Sequence, residues 1–113
     1  MSIPETGNNI GRVRHLNRKI NIPQNAYDEI IRLAGQHGLE RVILFGSRAR
    51  GTNSPRSDID IAVQGGDFRG FYYDIEEKAR TLLMFDIVDL DRKISTELLS
   101  DIQRDGIVIY EKV

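Results

Sequence analysis

Three carboxylates and one glycine-serine pair carry most of the chemistry that this sequence could perform. Asp58 and Asp60 stand two apart in DIDIAVQ, where apolar residues alternate with polar ones. On a strand, side chains at i and i+2 share a face. The pair would project together, with Cα atoms roughly 6.5–7 Å apart at strand rise. Carboxylates so placed can converge on a hard divalent cation, with substrate phosphates completing its oxygen shell. Gly46 and Ser47 directly follow RVILF. A glycine there lets the backbone approach a ligand, and N–H groups that open a helical turn attract phosphate. Each signal alone is weak, because Gly-Ser after a strand is usually a turn and an Asp-x-Asp on a solvent face is common.

Asp86 strengthens the case. It lies inside LLMFDIV, and a carboxylate in the middle of an apolar strand is expensive unless paired or metal-bound. A cation shared with Asp58 and Asp60 would supply that compensation. Asp89 and Asp91 lie toward the strand end, where water can solvate them. Asp86 is the better third ligand.

The elements that must hold these residues follow from pattern. Pro23 suits the first turn of a helix, and Tyr27, Ile30, Ile31 and Ala34 keep helical spacing up to a left-handed cap at Gly38. His37 sits in the last turn, where a structural role is the natural one. RVILFG reads as a buried strand. SRARGTNSPRS is turn-rich, with a single helical turn at its start. DIDIAVQ is a second strand, broken by Gly65 and Gly66. A helix is expected over 68–81, with Phe71, Ile75 and Ala79 on one side and Gly70 a weak point. LLMFDIVDL reads as a third buried strand. The spacing predicts a helix over 94–104, capped by Ser95 or Thr96, with Leu98, Leu99 and Ile102 facing inward. GIVIYEKV closes the chain as a strand. This order predicts an α/β or α+β sheet layered with helices.

Composition narrows the class. The 113 residues suit one domain, with 1–22 a polar N-terminal lead and 23–113 the domain itself. RVRHLNRK in the lead reads as a solvated basic segment. There is no Cys, which excludes disulfides, thiolate zinc sites and cysteine nucleophiles. His15 and His37 are too far apart in sequence to suggest a histidine metal cluster. No apolar run approaches the ~18 residues of a membrane span, and the N-terminus lacks an apolar signal region. A cytoplasmic protein without membrane association is the expectation. Net charge is −1, which argues against a dedicated nucleic-acid binder. Residues 1–56 carry nine Lys and Arg against four Asp and Glu, and residues 57–113 seven against thirteen. A basic half facing an acidic half suits a site where carboxylates hold cations and arginines meet phosphate.

Taken together, Gly46-Ser47, ten intervening residues, Asp58-x-Asp60 and the later Asp86 resemble the nucleotidyltransferases of the DNA polymerase beta superfamily. FGSRARGTNSPRSDIDIAV and FDIVDLD are similar to signature stretches of its minimal nucleotidyltransferase (MNT) family, which includes the antitoxins of HEPN/MNT toxin–antitoxin pairs. The resemblance implies the nucleotidyltransferase fold, a mixed β-sheet of about four strands packed with helices. It implies that Gly46 and Ser47 hold a nucleoside triphosphate, and that Asp58 and Asp60 bind two Mg2+ ions. Asp86 would bind one metal and help activate the attacking hydroxyl. Arg50 falls where the family is usually basic, whereas Arg48 and Arg56 are assigned to phosphate on charge alone.

The implied reaction moves a nucleoside monophosphate, AMP from ATP, to a hydroxyl and releases pyrophosphate. In the MNT family that acceptor is often a tyrosine of a HEPN-type helical protein encoded nearby. Two metals about 3.5–4 Å apart can clamp the attacking and leaving oxygens of such a displacement. No covalent nucleophile is required. Two other readings stay open, a non-catalytic antitoxin that masks its partner and a transferase for an aminoglycoside-like small molecule. The short chain leaves little room for a small-molecule pocket, and homo- or hetero-oligomers are both compatible with it.

Overall fold

The structure is a computed structural model that describes residues 21–78 and 81–113. The lead expected over 1–22, its basic segment and Ala79 therefore lie wholly or largely outside the described residues. In chain order the elements are α1 (Gln24–Gln36), β1 (Arg41–Phe45), α2 (Ser47–Arg50), β2 (Ile59–Gln64), α3 (Phe68–Lys78), β3 (Phe85–Asp89), α4 (Thr96–Asp105) and β4 (Ile107–Glu111). The strands form one mixed sheet in the order β3-β2-β1-β4. β1 runs antiparallel to both β2 and β4, and β2 runs parallel to β3.

Strand alternation divides the sheet into two unequal faces. Val42, Leu44, Ile59, Ile61, Val63, Ile107 and Ile109 are buried in one cluster with Ala26, Ile30, Leu33 and Ala34 of α1 and Phe71 and Ile75 of α3. The opposite face carries a smaller cluster, in which Phe45, Ala62 and Ile102 are buried against Ile43, Val88, Leu90, Ile94 and Leu98. Two helices cover the first face. α4 covers only part of the second.

The helix boundaries have local causes. Ser95 caps α4, its hydroxyl accepting from the Leu98 N–H at 3.1 Å. The α1 ladder ends at His37, and Gly38 follows at φ 67°. His37 then bridges α1 to α3, its Nε2 lying 2.7 Å from an Asp74 oxygen. Gly70, expected to weaken α3, stands where a Cβ would lie 2.7 Å from His37 Nδ1. The glycine clears the space the imidazole occupies.

Three expectations need correction. Leu82, Leu83 and Met84 do not enter the sheet: β3 begins only at Phe85, and Leu82 and Met84 are exposed. Leu99 is exposed on α4 and does not face inward, because the half-covered face needs only a narrow apolar stripe through Leu98 and Ile102. α3 spans Phe68–Lys78 among the described residues, and Thr81 lies outside it.

Candidate active site

β2 and β3 bring the carboxylates together by register. Their parallel pairing sets Asp60 directly opposite Asp86, at the ~4.8 Å spacing of neighbouring strands. Asp58 lies one residue before β2 begins. Asp60 shares the partly covered face with Ala62, and Asp86 shares it with Val88, while Ile59 and Ile61 point into the main core. The alternation read from DIDIAVQ is the alternation observed.

Asp86 is not buried. It lies exposed on an edge strand, so solvent rather than a metal can meet its desolvation cost. The apolar neighbours that suggested burial, Phe85 and Ile87, face the opposite side of the sheet. Asp89 and Asp91 are engaged elsewhere. Asp89 accepts from the Asp91 N–H at 3.0 Å, and Asp91 accepts from the Gly65 N–H at 2.7 Å. Both fasten turns.

Gly46 fits against the Asp60 carboxylate. Its φ is 73°, and a Cβ placed there would stand 2.2 Å from Asp60 Oδ2. Both the backbone conformation and the space demand glycine. The single turn α2 follows at once, so Ser47 comes directly after the glycine that packs against Asp60. Its first N–H groups have no partner within the turn.

Electrostatics single out Asp60. Burial, then the charges of Asp86 and Asp58, push its carboxyl up from 3.8 to about 6, against the opposing pull of Arg50 and Arg48. Among the described residues none of the three carboxylates is held by a side-chain hydrogen bond or salt bridge. Nor do three His, Cys, Asp or Glu side chains converge there as a ready metal cluster. In kind the donors suit a divalent cation: hard oxygens whose mutual repulsion a cation would relieve.

The three arginines differ. Arg48 is buried, and its guanidinium is committed to backbone carbonyls of Asn21, Ser54, Pro55 and Ser57. It is not presented to a ligand, which departs from the phosphate role expected of it. Arg50 is exposed and pairs through Nη1 with Asp105 at 3.0 Å. Arg56 is exposed in the turn. Asp105, whose side chain is only 10% exposed and which also binds Arg104, is a contributor that sequence reasoning missed. It lies 55 residues from Arg50, and no local pattern marks it.

A mixed sheet with a glycine-serine turn packed against carboxylates on adjacent strands defines a nucleotidyltransferase-type domain. Residues 28–113 match the family described as polymerase beta, nucleotidyltransferase, and the chain belongs to it. No curated protein matches the chain. Among solved structures, a crystal structure of a toxin-antitoxin with AMP-PNP is similar at 29% identity and TM-score 0.61, over 76% of this chain and 73% of that one. A mutant of the toxin-antitoxin MntA-HpeT matches at 27% identity and TM-score 0.60, with the same coverage. A structure from Sulfolobus solfataricus, at 21% identity and TM-score 0.52 over 96% of this chain and 91% of that one, shares the fold. The family match and the two toxin-antitoxin likenesses support the assignment to the minimal nucleotidyltransferases.

Proposed function

We propose that this chain is the nucleotidyltransferase antitoxin of a toxin–antitoxin pair, and that it moves AMP from ATP to a tyrosine hydroxyl of a HEPN-type partner. The observation that carries the reading is the juxtaposition of Asp60 and Asp86 across β2 and β3, with Gly46 against the Asp60 carboxylate. Likeness to toxin-antitoxin structures, one of them with AMP-PNP, supports the partner and the nucleotide.

Each residue has a task in that reaction. Asp58, Asp60 and Asp86 would hold two Mg2+ ions. When bound, these ions would offset the charge that develops as pyrophosphate leaves. Gly46 lets the triphosphate approach the backbone, and Ser47 offers its hydroxyl and N–H. Arg50 turns its exposed guanidinium toward phosphate while Asp105 holds it from behind. Arg56 extends the positive rim, and Arg48 is left out of the phosphate contacts. Asp86, exposed and opposite Asp60, accepts the proton of the attacking hydroxyl. An exposed carboxylate suits this role, because the acceptor must reach it from outside.

Calorimetric titration with a non-hydrolysable ATP analogue tests the reading. Binding should require Mg2+ and should be lost in the variant combining Asp58→Asn and Asp60→Asn. Equal binding with and without Mg2+ would contradict it.

A further inference from the structure

Arg48 holds a buried charge with an unusual set of partners. Its side chain is 5% exposed. Nε donates to the Ser57 carbonyl at 3.0 Å and Nη1 to the Asn21 carbonyl at 2.8 Å. Nη2 donates to the carbonyls of Pro55 at 3.1 Å and Ser54 at 3.4 Å. No carboxylate forms an ion pair with it among the described residues. Burying a guanidinium whose nearest balancing charge, Asp60, acts only through space is costly even when it is hydrogen-bonded, and an apolar side chain would fill the space without that cost. What only arginine provides is a rigid planar fork with five donors, able to gather several carbonyls at once.

The carbonyls it gathers lie in the turn that leads into the site. Ser57 immediately precedes Asp58, and Arg48 immediately follows Ser47. Bonds inside the turn, such as the Ser54 N–H to the Ser57 hydroxyl at 2.9 Å, keep its shape. The Thr52 N–H, which donates to the Ser47 carbonyl at 3.0 Å, ties only the start of the loop to α2. Among the described residues, Arg48 is the side chain whose hydrogen bonds join the Gly46–Ser47 corner to the residue before Asp58, beside the β1–β2 pairing that sets Phe45 opposite Asp60.

We infer that Arg48 is a positioning residue, a clamp that fixes Asp58 relative to Gly46 and Ser47 so that a cation bound by the carboxylates also meets the triphosphate. The inference rests on reading Asp58 and Asp60 as divalent-cation ligands. A displaced Asp58 weakens cation binding without removing a ligand, so the defect is one that excess cation can fill.

The test uses the full chain as wild type, Arg48→Lys and Arg48→Met, below the melting temperature of each. Binding of a non-hydrolysable ATP analogue is titrated with Mg2+, and limited trypsin digestion follows cleavage after the exposed Arg56. Lysine keeps the charge and loses the fork. We expect both variants to need at least about tenfold more Mg2+ at midpoint, to reach the wild-type plateau, and to be cut after Arg56 about tenfold faster. If Arg48→Met does not fold, Arg48→Lys decides. A Lys variant with the wild-type midpoint and cleavage rate would overturn the clamp. Binding by the wild type that ignores Mg2+ would overturn the reading of the carboxylates, and with it the inference.

Discussion

Asp60 is the residue where the site's electrostatics become measurable. Its carboxyl is raised from 3.8 to about 6, first by burial and then by Asp86 and Asp58. Between those two values the native state binds more protons than the unfolded chain. In metal-free protein this contribution therefore makes stability fall as pH rises from about 4 to about 6. A shift of about two units corresponds to about 3 kcal/mol, which solvent screening of a part-exposed carboxylate reduces to about 1–2 kcal/mol. Asp60→Asn should remove that loss. Urea unfolding in EDTA should show the variant gaining on wild type from about pH 4 to about pH 7, and Mg2+ should narrow the gap by stabilising only the wild type. A constant difference across that range would mean that Asp60 is not crowded by like charge. The neighbouring carboxylates separate by task. Asp86→Ala should leave stability within about 0.5 kcal/mol, as is usual for an exposed position, and cost most of the transfer. Asp91→Ala should cost about 1 kcal/mol through the lost Gly65 hydrogen bond and spare transfer. The opposite pattern in paired melting and transfer assays would exchange their roles.

At the scale of elements, α4 is held by a cap and a narrow apolar stripe. Ser95→Ala removes the acceptor for the Leu98 N–H and should cost about 1 kcal/mol. A thermal melt should then shift downward by about 4–8 °C. No shift would show that the cap is dispensable. Elements with strong periodicity were legible in the sequence: α1 by its apolar spacing, β2 by its alternation, and α4 by its cap. Gly46, Ser47, Asp58 and Asp60 were legible because their spacing is local. The start of β3 was not, because Leu82, Leu83 and Met84 are apolar yet lie before the strand, and an apolar run alone does not reveal where register begins. The burial of Asp86 was misread for a related reason. Apolar neighbours in sequence lie on the other face of a strand, and whether a strand is an edge is decided by topology. Arg48 was assigned to phosphate on charge, and Asp105 was not assigned at all. One acts through carbonyls that any turn would offer, the other across 55 residues.

The whole molecule is a half-covered sheet whose candidate active site, at the Asp60 and Asp86 end of β2 and β3, lies on the face that α4 only partly covers. Few described residues remain to hold an acceptor once the nucleotide site is built. Near-attack positioning can lower a barrier by ~7–11 kcal/mol, so a second protein that supplies it would complete the enzyme. Co-expression with a genomically adjacent HEPN-type protein should give one heteromeric peak on size exclusion, and two separate peaks would favour a small-molecule acceptor. Under the function proposed above, AMP transfer depends on the Asp58, Asp60 and Asp86 carboxylates. The most direct measurement is transfer of label from α-labelled ATP to that partner, followed by intact mass. Label and a mass gain of one or more AMP units are expected with wild type and Mg2+, and neither with EDTA or with Asp58→Asn and Asp60→Asn combined. Equal labelling by the wild type and the double variant would contradict that dependence.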